Sequence, residues 1–280
     1  MLTIRDLLAR RQRGDVPAFD QILIETTGLA DPLPVLQTLA SDPVLAETTK
    51  LANVVTTVDA LLGLSTLSRF SESLRQVAVA DQLVFTKVDL AGDEAQQLRS
   101  KVRQLNPLAP QHSAIHGNIR PSLLLGSAQE QADPLRWLGY SVSDSVEPKS
   151  EQQNDNLDER DLHDSTIETF SVVRERPFCA VTLALLLQVL TEHCGAGLLR
   201  LKGIIQIEED PERPMVIHGV QHVFHSPTWL DCWPGSDRRS RLVFIASSIQ
   251  PRWVNALIET LDAEVRQLGS SQPADAAAGH

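Results

Sequence analysis

Gln21-Ile-Leu-Ile-Glu-Thr-Thr-Gly-Leu-Ala-Asp-Pro32 is the stretch on which the reading of this chain turns. Its first five residues, Gln21 to Glu25, form an apolar run closed by a carboxylate, the pattern of a buried strand in a parallel sheet. Thr26-Thr-Gly28 follows as a turn. Pro32 and Pro34 then open a helix, where a proline sacrifices no hydrogen bond. The unit is strand, loop, helix, with Glu25 at the strand's carboxyl end and Gly28 presenting an unhindered backbone N–H on the loop.

The same unit repeats outward along the chain. Leu51 to Val58 predicts a second strand, ending in Asp59, and Gln82 to Thr86 a third, ending in Lys87-Val-Asp89. Helical patterns separate them, and a short helix over Thr3 to Gly14 precedes them all, with a Thr-x-x-Asp cap and a glycine stop. Strands alternating with helices give an α/β fold with a mostly parallel sheet, whose ligands gather at the strands' carboxyl ends. Residues 1–140 make this first domain. Residues 141–166 are rich in Ser, Glu, Asp, Gln and Asn, with almost nothing to bury, and read as a flexible acidic linker. A smaller α+β domain follows over 167–268. Its strands are expected at Ile167 to Val173, Leu198 to Ile207, Met215 to Phe224 and Arg241 to Ala246, with helices at Thr182 to His193 and Pro251 to Leu268. Residues 269–280 are small and polar and read as a disordered tail.

Composition narrows the function. With 42% hydrophobic residues in 280, the chain can bury a core of ordinary size. A formal net charge of −11 repels phosphate backbones and anionic bilayers unless a local basic patch overrides it, which argues against nucleic acid and membrane as partners. The longest apolar stretch, Cys179 to Leu190, is too short to span a bilayer, and the start has no secretory pattern. Cys179, Cys194 and Cys232 are widely spaced, as expected of reduced thiols in a cytoplasmic protein, each reading as a small buried hydrophobe.

Two constellations can carry chemistry. A carboxylate at Glu25 can hold hydrated Mg²⁺, and the bare N–H of Gly28 can sense a terminal phosphate. The same octapeptide also suits a polar loop in which Thr26 or Thr27 caps the next helix. At the end of the third strand, Asp89 can accept from both N1–H and the exocyclic amine of guanine, whereas adenine offers a lone pair at N1 and no amine beside it. Lys87 can lay its aliphatic stem over the base, while a plain exposed helix start explains the same residues.

Glu25-Thr-Thr-Gly-Leu-Ala-Asp-Pro32 resembles the E-[ST]-[ST]-G-x-A-[DE]-P signature of the CobW-like P-loop GTPases, which supply metals to client proteins. Thr86-Lys-Val-Asp89 is similar to their guanine-reading N-K-x-D motif, and Leu199-Arg-Leu-Lys-Gly203, Gln221, Trp229 and Arg241-Leu-Val-Phe-Ile245 resemble the family's C-terminal domain. The resemblance implies GTP and Mg²⁺ as ligands, with Glu25 and Gly28 catalytic and Thr86, Lys87 and Asp89 nucleotide-binding. It implies zinc or cobalt as the transferred metal, a client metalloprotein as partner, and admits a second copy of the chain.

Two departures alter these expectations. Thr86 stands where the family has Asn, and a hydroxyl forms fewer bonds than an amide. The sequence holds neither G-x-x-x-x-G-K-[ST] nor C-x-C-C, which in the family precede the E-T-T-G strand. The chain is therefore expected to begin after them, as an incomplete P-loop GTPase domain with weak GTP binding, negligible hydrolysis of its own and aggregation-prone sheet edges. A catalytically inactive adaptor acting through the second domain, or a non-functional fragment, are the alternative readings. His218, His222 and His225, with Cys232, could bind Zn²⁺, but their loose spacing favours structural roles. Arg238-Arg-Ser-Arg241 suits an acidic partner or, with Asp237 adjoining, a solvated turn. Trp229 and Trp233 read as packing anchors.

Overall fold

A computed structural model describes residues 4–125, 167–195, 197–221, 223–224 and 227–270. The chain divides into two compact units, one of 1–99 with 111–126 and one of 100–110 with 127–280. The linker expected at 141–166 and most of the tail lie outside the described residues.

The first unit holds helices α1 (Ile4–Arg13), α2 (Leu33–Ser41) and α3 (Pro43–Thr48), strand β1 (Val55–Asp59), helices α4 (Gly63–Arg69) and α5 (Ser71–Val79), and strand β2 (Gln82–Thr86). Helix α6 (Glu94–Leu105) crosses into the second unit's residues, and β3 (Gln111–Ala114) and α7 (Ser122–Leu125) complete the order. The sheet runs β1-β2-β3, all parallel. Leu83, Val84 and Phe85 of the central strand are buried on both faces, as parallel sheets require. Val77, Ala78 and Val79 of α5 are buried with them, as is Leu98 of α6. Asp81 joins the strand beginnings: its backbone N–H donates to Val54 O at 2.7 Å, and its Oδ2 accepts from Val54 N at 3.0 Å. Strand β3 carries no apolar alternation in Gln-His-Ser-Ala, so its sequence gives no strand signal.

The strand expected at Gln21 to Glu25 does not form. These residues have no regular secondary structure and are unpaired among the described residues, and Ile22, Leu23 and Ile24 are 37%, 83% and 44% exposed. An apolar run becomes a strand only beside a ladder that accepts its N–H and C=O groups. Strand β1 pairs with β2 alone among the described residues, so no ladder reaches this segment.

The second unit is a six-stranded antiparallel sheet ordered β4-β9-β5-β6-β7, with β8 paired to β6. The strands are β4 (Ile167–Arg174), β5 (Leu198–Ile207), β6 (Asp210–Val220), β7 (Val223–Phe224), β8 (Thr228–Trp229) and β9 (Ser240–Ser247). Helices α8 (Ala180–Cys194) and α9 (Pro251–Ser270) supply Leu183, Leu186, Leu190, Val254 and Ile258 to a core with Val172, Leu201, Ile205 and Phe244. Phe170 and Phe244, partners in register, stack at 4.9 Å. The single strand expected over Met215 to Phe224 is two, because Gln221 adopts a left-handed φ of 54° and turns the chain. Helix α9 continues to Ser270, so the expected tail begins inside it.

Candidate functional site

Strands β1 and β2 end together, since Asp59 is in register with Thr86. The chain then leaves β2 through Lys87, whose φ of 55° is left-handed and turns it sharply into Val88 and Asp89. Thr86 faces back into the sheet: its carbonyl accepts from Ala60 N at 2.9 Å, and its hydroxyl lies 3.5 Å from Val58 O. Lys87 Nζ donates to Asp59 Oδ2 at 2.6 Å, while Asp59 Oδ1 accepts from Leu61 N at 2.8 Å and Leu62 N at 3.1 Å. Burial would push the Asp59 carboxyl up, but the hydrogen bond from Lys87 and those two N–H groups outweigh it and hold it below its ordinary value. The Lys87 charge is thereby tied down, with its stem half exposed. Asp89 is exposed and makes no hydrogen bond or ion pair among the described residues. A carboxylate already committed to the protein could not accept from a base; this one can.

Glu25 and Gly28 lie elsewhere than expected. With no strand beneath it, Glu25 is an exposed carboxylate on an unpaired segment, so it does not end a strand neighbouring that of Asp89. The Gly28 turn is held from the side instead. Gln76 Nε2 on α5 donates to both Gly28 O and Ala30 O at 2.9 Å, and Arg75 Nη1 donates to Asp31 Oδ2 at 2.9 Å. The other oxygen of Asp31 accepts from Leu33 N at 3.0 Å and so caps the start of α2. The backbone of Gln76 is itself fixed, its carbonyl accepting from Thr56 Oγ1 of β1 at 2.8 Å. Gln76→Met, which keeps the volume and removes both donors, is expected to raise amide exchange at Ala30, whose N–H donates to Thr27 O at 2.9 Å, about tenfold and leave that of Leu83 to Phe85 unchanged, read by hydrogen exchange.

Residues 2–113 match the CobW/HypB/UreG nucleotide-binding domain, and residues 167–263 match the cobalamin synthesis protein cobW C-terminal domain. This chain belongs to the CobW-like P-loop GTPase family. Among similar proteins of the family is the zinc chaperone YjiA of Escherichia coli, 29% identical over 258 residues that cover 90% of this chain and 73% of the relative. The zinc-regulated GTPase metalloprotein activator 1 of Schizosaccharomyces pombe is 35% identical over 111 residues, 39% of this chain and 26% of its own length. The crystal structure of Zn(II)-bound YjiA GTPase superposes with a TM-score of 0.69 at 27% identity, covering 92% of this chain and 76% of that one. The α/β fold with its antiparallel C-terminal domain is thus that of a CobW-like GTPase.

Within this CobW-like frame several expected features resolve. No helix among the described residues is long and apolar enough to cross a membrane. No group of three or more His, Cys, Asp or Glu among the described residues could hold a metal ion; His222 and His225 fall outside them. The cysteines are less buried than their sequence implied: Cys179 and Cys194 are half-buried and Cys232 is exposed. The arginine cluster is engaged by acids, Arg239 and Arg241 with Asp237 and Arg238 with Glu212, as in a solvated turn. Trp233 is anchored by its Nε1 donating to Pro211 O at 2.9 Å. Asp59, Arg75 and Gln76 join the site only through the fold. The first closes an apolar strand visibly enough, but nothing in an amphipathic helix marks which polar residues reach a loop.

Proposed function

We propose that this chain is a guanine-nucleotide-binding protein of the CobW type, in which GTP hydrolysis is coupled to delivery of zinc or cobalt to a client metalloprotein in the cytoplasm. The observation that carries the reading is the uncommitted carboxylate of Asp89 at the end of β2, beside a Lys87 whose charge is already anchored. In this assignment Asp89 accepts from the two guanine donors, Lys87 spreads its stem along the base and Thr86 braces the loop. Glu25 holds Mg²⁺ through water, and Gly28 reports the terminal phosphate. The metal is cargo. The second domain, from 167 to 268, meets the client, and a second copy of the chain is a further candidate partner.

The residues fit the two ends of such a ligand unequally. The base end has an exposed, unpaired carboxylate and a stem-presenting lysine. The phosphate end has one exposed carboxylate at Glu25, and the acidic Asp31 nearby in sequence is already neutralised by Arg75. A phosphate needs a nest of N–H groups and a lysine, and the 280 residues contain no G-x-x-x-x-G-K-[ST] motif to build one. Titrating the chain with fluorescent GTP and ATP analogues is expected to show weak binding that favours guanine, with negligible phosphate release. Submicromolar affinity for the GTP analogue would overturn the weak-binding part. Equal affinity for both analogues would overturn base reading, and a stable partner recovered without nucleotide would then favour an adaptor.

A further inference from the structure

The ion pair at the ends of β1 and β2 has a role that its surface position hides. An exposed lysine paired with an exposed acid normally contributes little, because two long side chains lose freedom for a screened attraction. Here the acid is short and held before the lysine arrives. Asp59 closes β1, and its Oδ1 is hooked by the N–H groups of Leu61 and Leu62. Its Oδ2 is left aimed at the neighbouring strand end, where the register of Asp59 with Thr86 brings Lys87 within 2.6 Å. The backbone turns at Lys87 in a left-handed conformation, and its Nζ reaches back to Asp59 at the end of β1. The lysine is thus held at both ends, by its own backbone and by a fixed carboxylate.

We propose that Asp59 is a positioning residue for base binding, anchoring the ammonium of Lys87 so that its four-carbon stem stands as a fixed apolar platform beside Asp89. This rests on the assignment of Lys87 and Asp89 to the base. The two residues then divide the work. Asp89 distinguishes guanine from adenine by hydrogen bonding, whereas a platform of methylenes contacts the face of either purine alike. Loosening the platform therefore weakens both purines by one factor and leaves their ratio intact.

Asp59→Asn separates this role from folding. The Asn carbonyl still accepts from Leu61 and Leu62, so the start of α4 keeps its hooks, while an uncharged amide no longer holds the ammonium. The full chain and the variant are titrated with guanosine and adenosine, which carry no phosphate to be repelled, following chemical-shift changes. The expected result is an affinity three- to tenfold lower for both nucleosides in Asp59→Asn, with the guanosine-to-adenosine ratio and the thermal midpoint unchanged. Unchanged affinity for both nucleosides overturns the inference and leaves base reading intact. A collapse of the ratio overturns it too, because Asp59 would then shape the Asp89 loop itself. A wild-type chain that fails to prefer guanosine overturns the base assignment and this inference with it.

Discussion

Asp262→Ala is expected to destabilise the second unit by about 3–5 kcal/mol, measured as the shift in its denaturant unfolding transition, because it takes from a buried cation its closest and only buried counter-charge among the described residues, leaving the exposed Glu259 at 3.5 Å. Asp262 lies on α9 at 1% exposure and receives Arg174 Nη2 at 2.7 Å, Arg266 Nε at 3.2 Å and Arg176 Nη1 at 3.3 Å. Arg174, on β4, is itself almost wholly buried, with its guanidinium 4.8 Å over the Phe178 ring. The pair therefore bolts helix to sheet from inside. Arg176 is 56% exposed, so Arg176→Ala should cost far less, water replacing its share of the charge. Glu208 adds an outer link to Arg266 at 2.7 Å.

The same carboxylate sets an acid limit. Burial alone would push Asp262 up, but the hydrogen bonds from Arg266 and Arg174 and their charges prevail, so it titrates below its ordinary value. A group depressed on folding stabilises in full above its unfolded pKa, about 3.9 for Asp, and that contribution fades as pH falls through the folded value. Unfolding midpoints should accordingly fall below about pH 4. In Asp262→Asn the acid slope should be shallower, since the residue no longer titrates.

Legibility in the sequence followed the source of each element's stability. The strands Gln82 to Thr86 and Leu198 to Ile207 were readable to the residue, because both are central in their sheets and their apolar pattern is dictated by burial. Gln21 to Glu25 has an equally apolar pattern and is no strand, since pairing depends on a neighbour that composition does not report. Strand β3 fails in the opposite sense: Gln-His-Ser-Ala is paired by its position beside β2 although nothing in it asks for burial. In the site, Asp89 and Lys87 were legible because a K-x-D after an apolar strand is a local pattern. Asp59, Arg75 and Gln76 were not, because their partners stand 28, 44 and 46 to 48 residues away and only the fold brings them together.

Asp89→Ala is expected to abolish guanine selectivity, bringing the guanosine and adenosine affinities of the full chain to within about twofold of each other. A hydrogen bond to a charged acceptor is worth roughly 1.5–3 kcal/mol, and removing both leaves two guanine donors unanswered, a loss on the order of a hundred- to ten-thousandfold. Adenosine gains by the same change, since its N1 lone pair no longer meets a carboxylate. Inosine dissects the two bonds: lacking the 2-amine, it should bind the wild-type chain less tightly than guanosine, and Asp89→Ala should erase that difference. Asp89→Asn tests the polarity of the contact, because an amide offers one acceptor and one donor. It should therefore prefer xanthosine, whose C2 carbonyl can accept where guanine's amine donates. Retained guanosine preference in both variants would remove Asp89 from the base site.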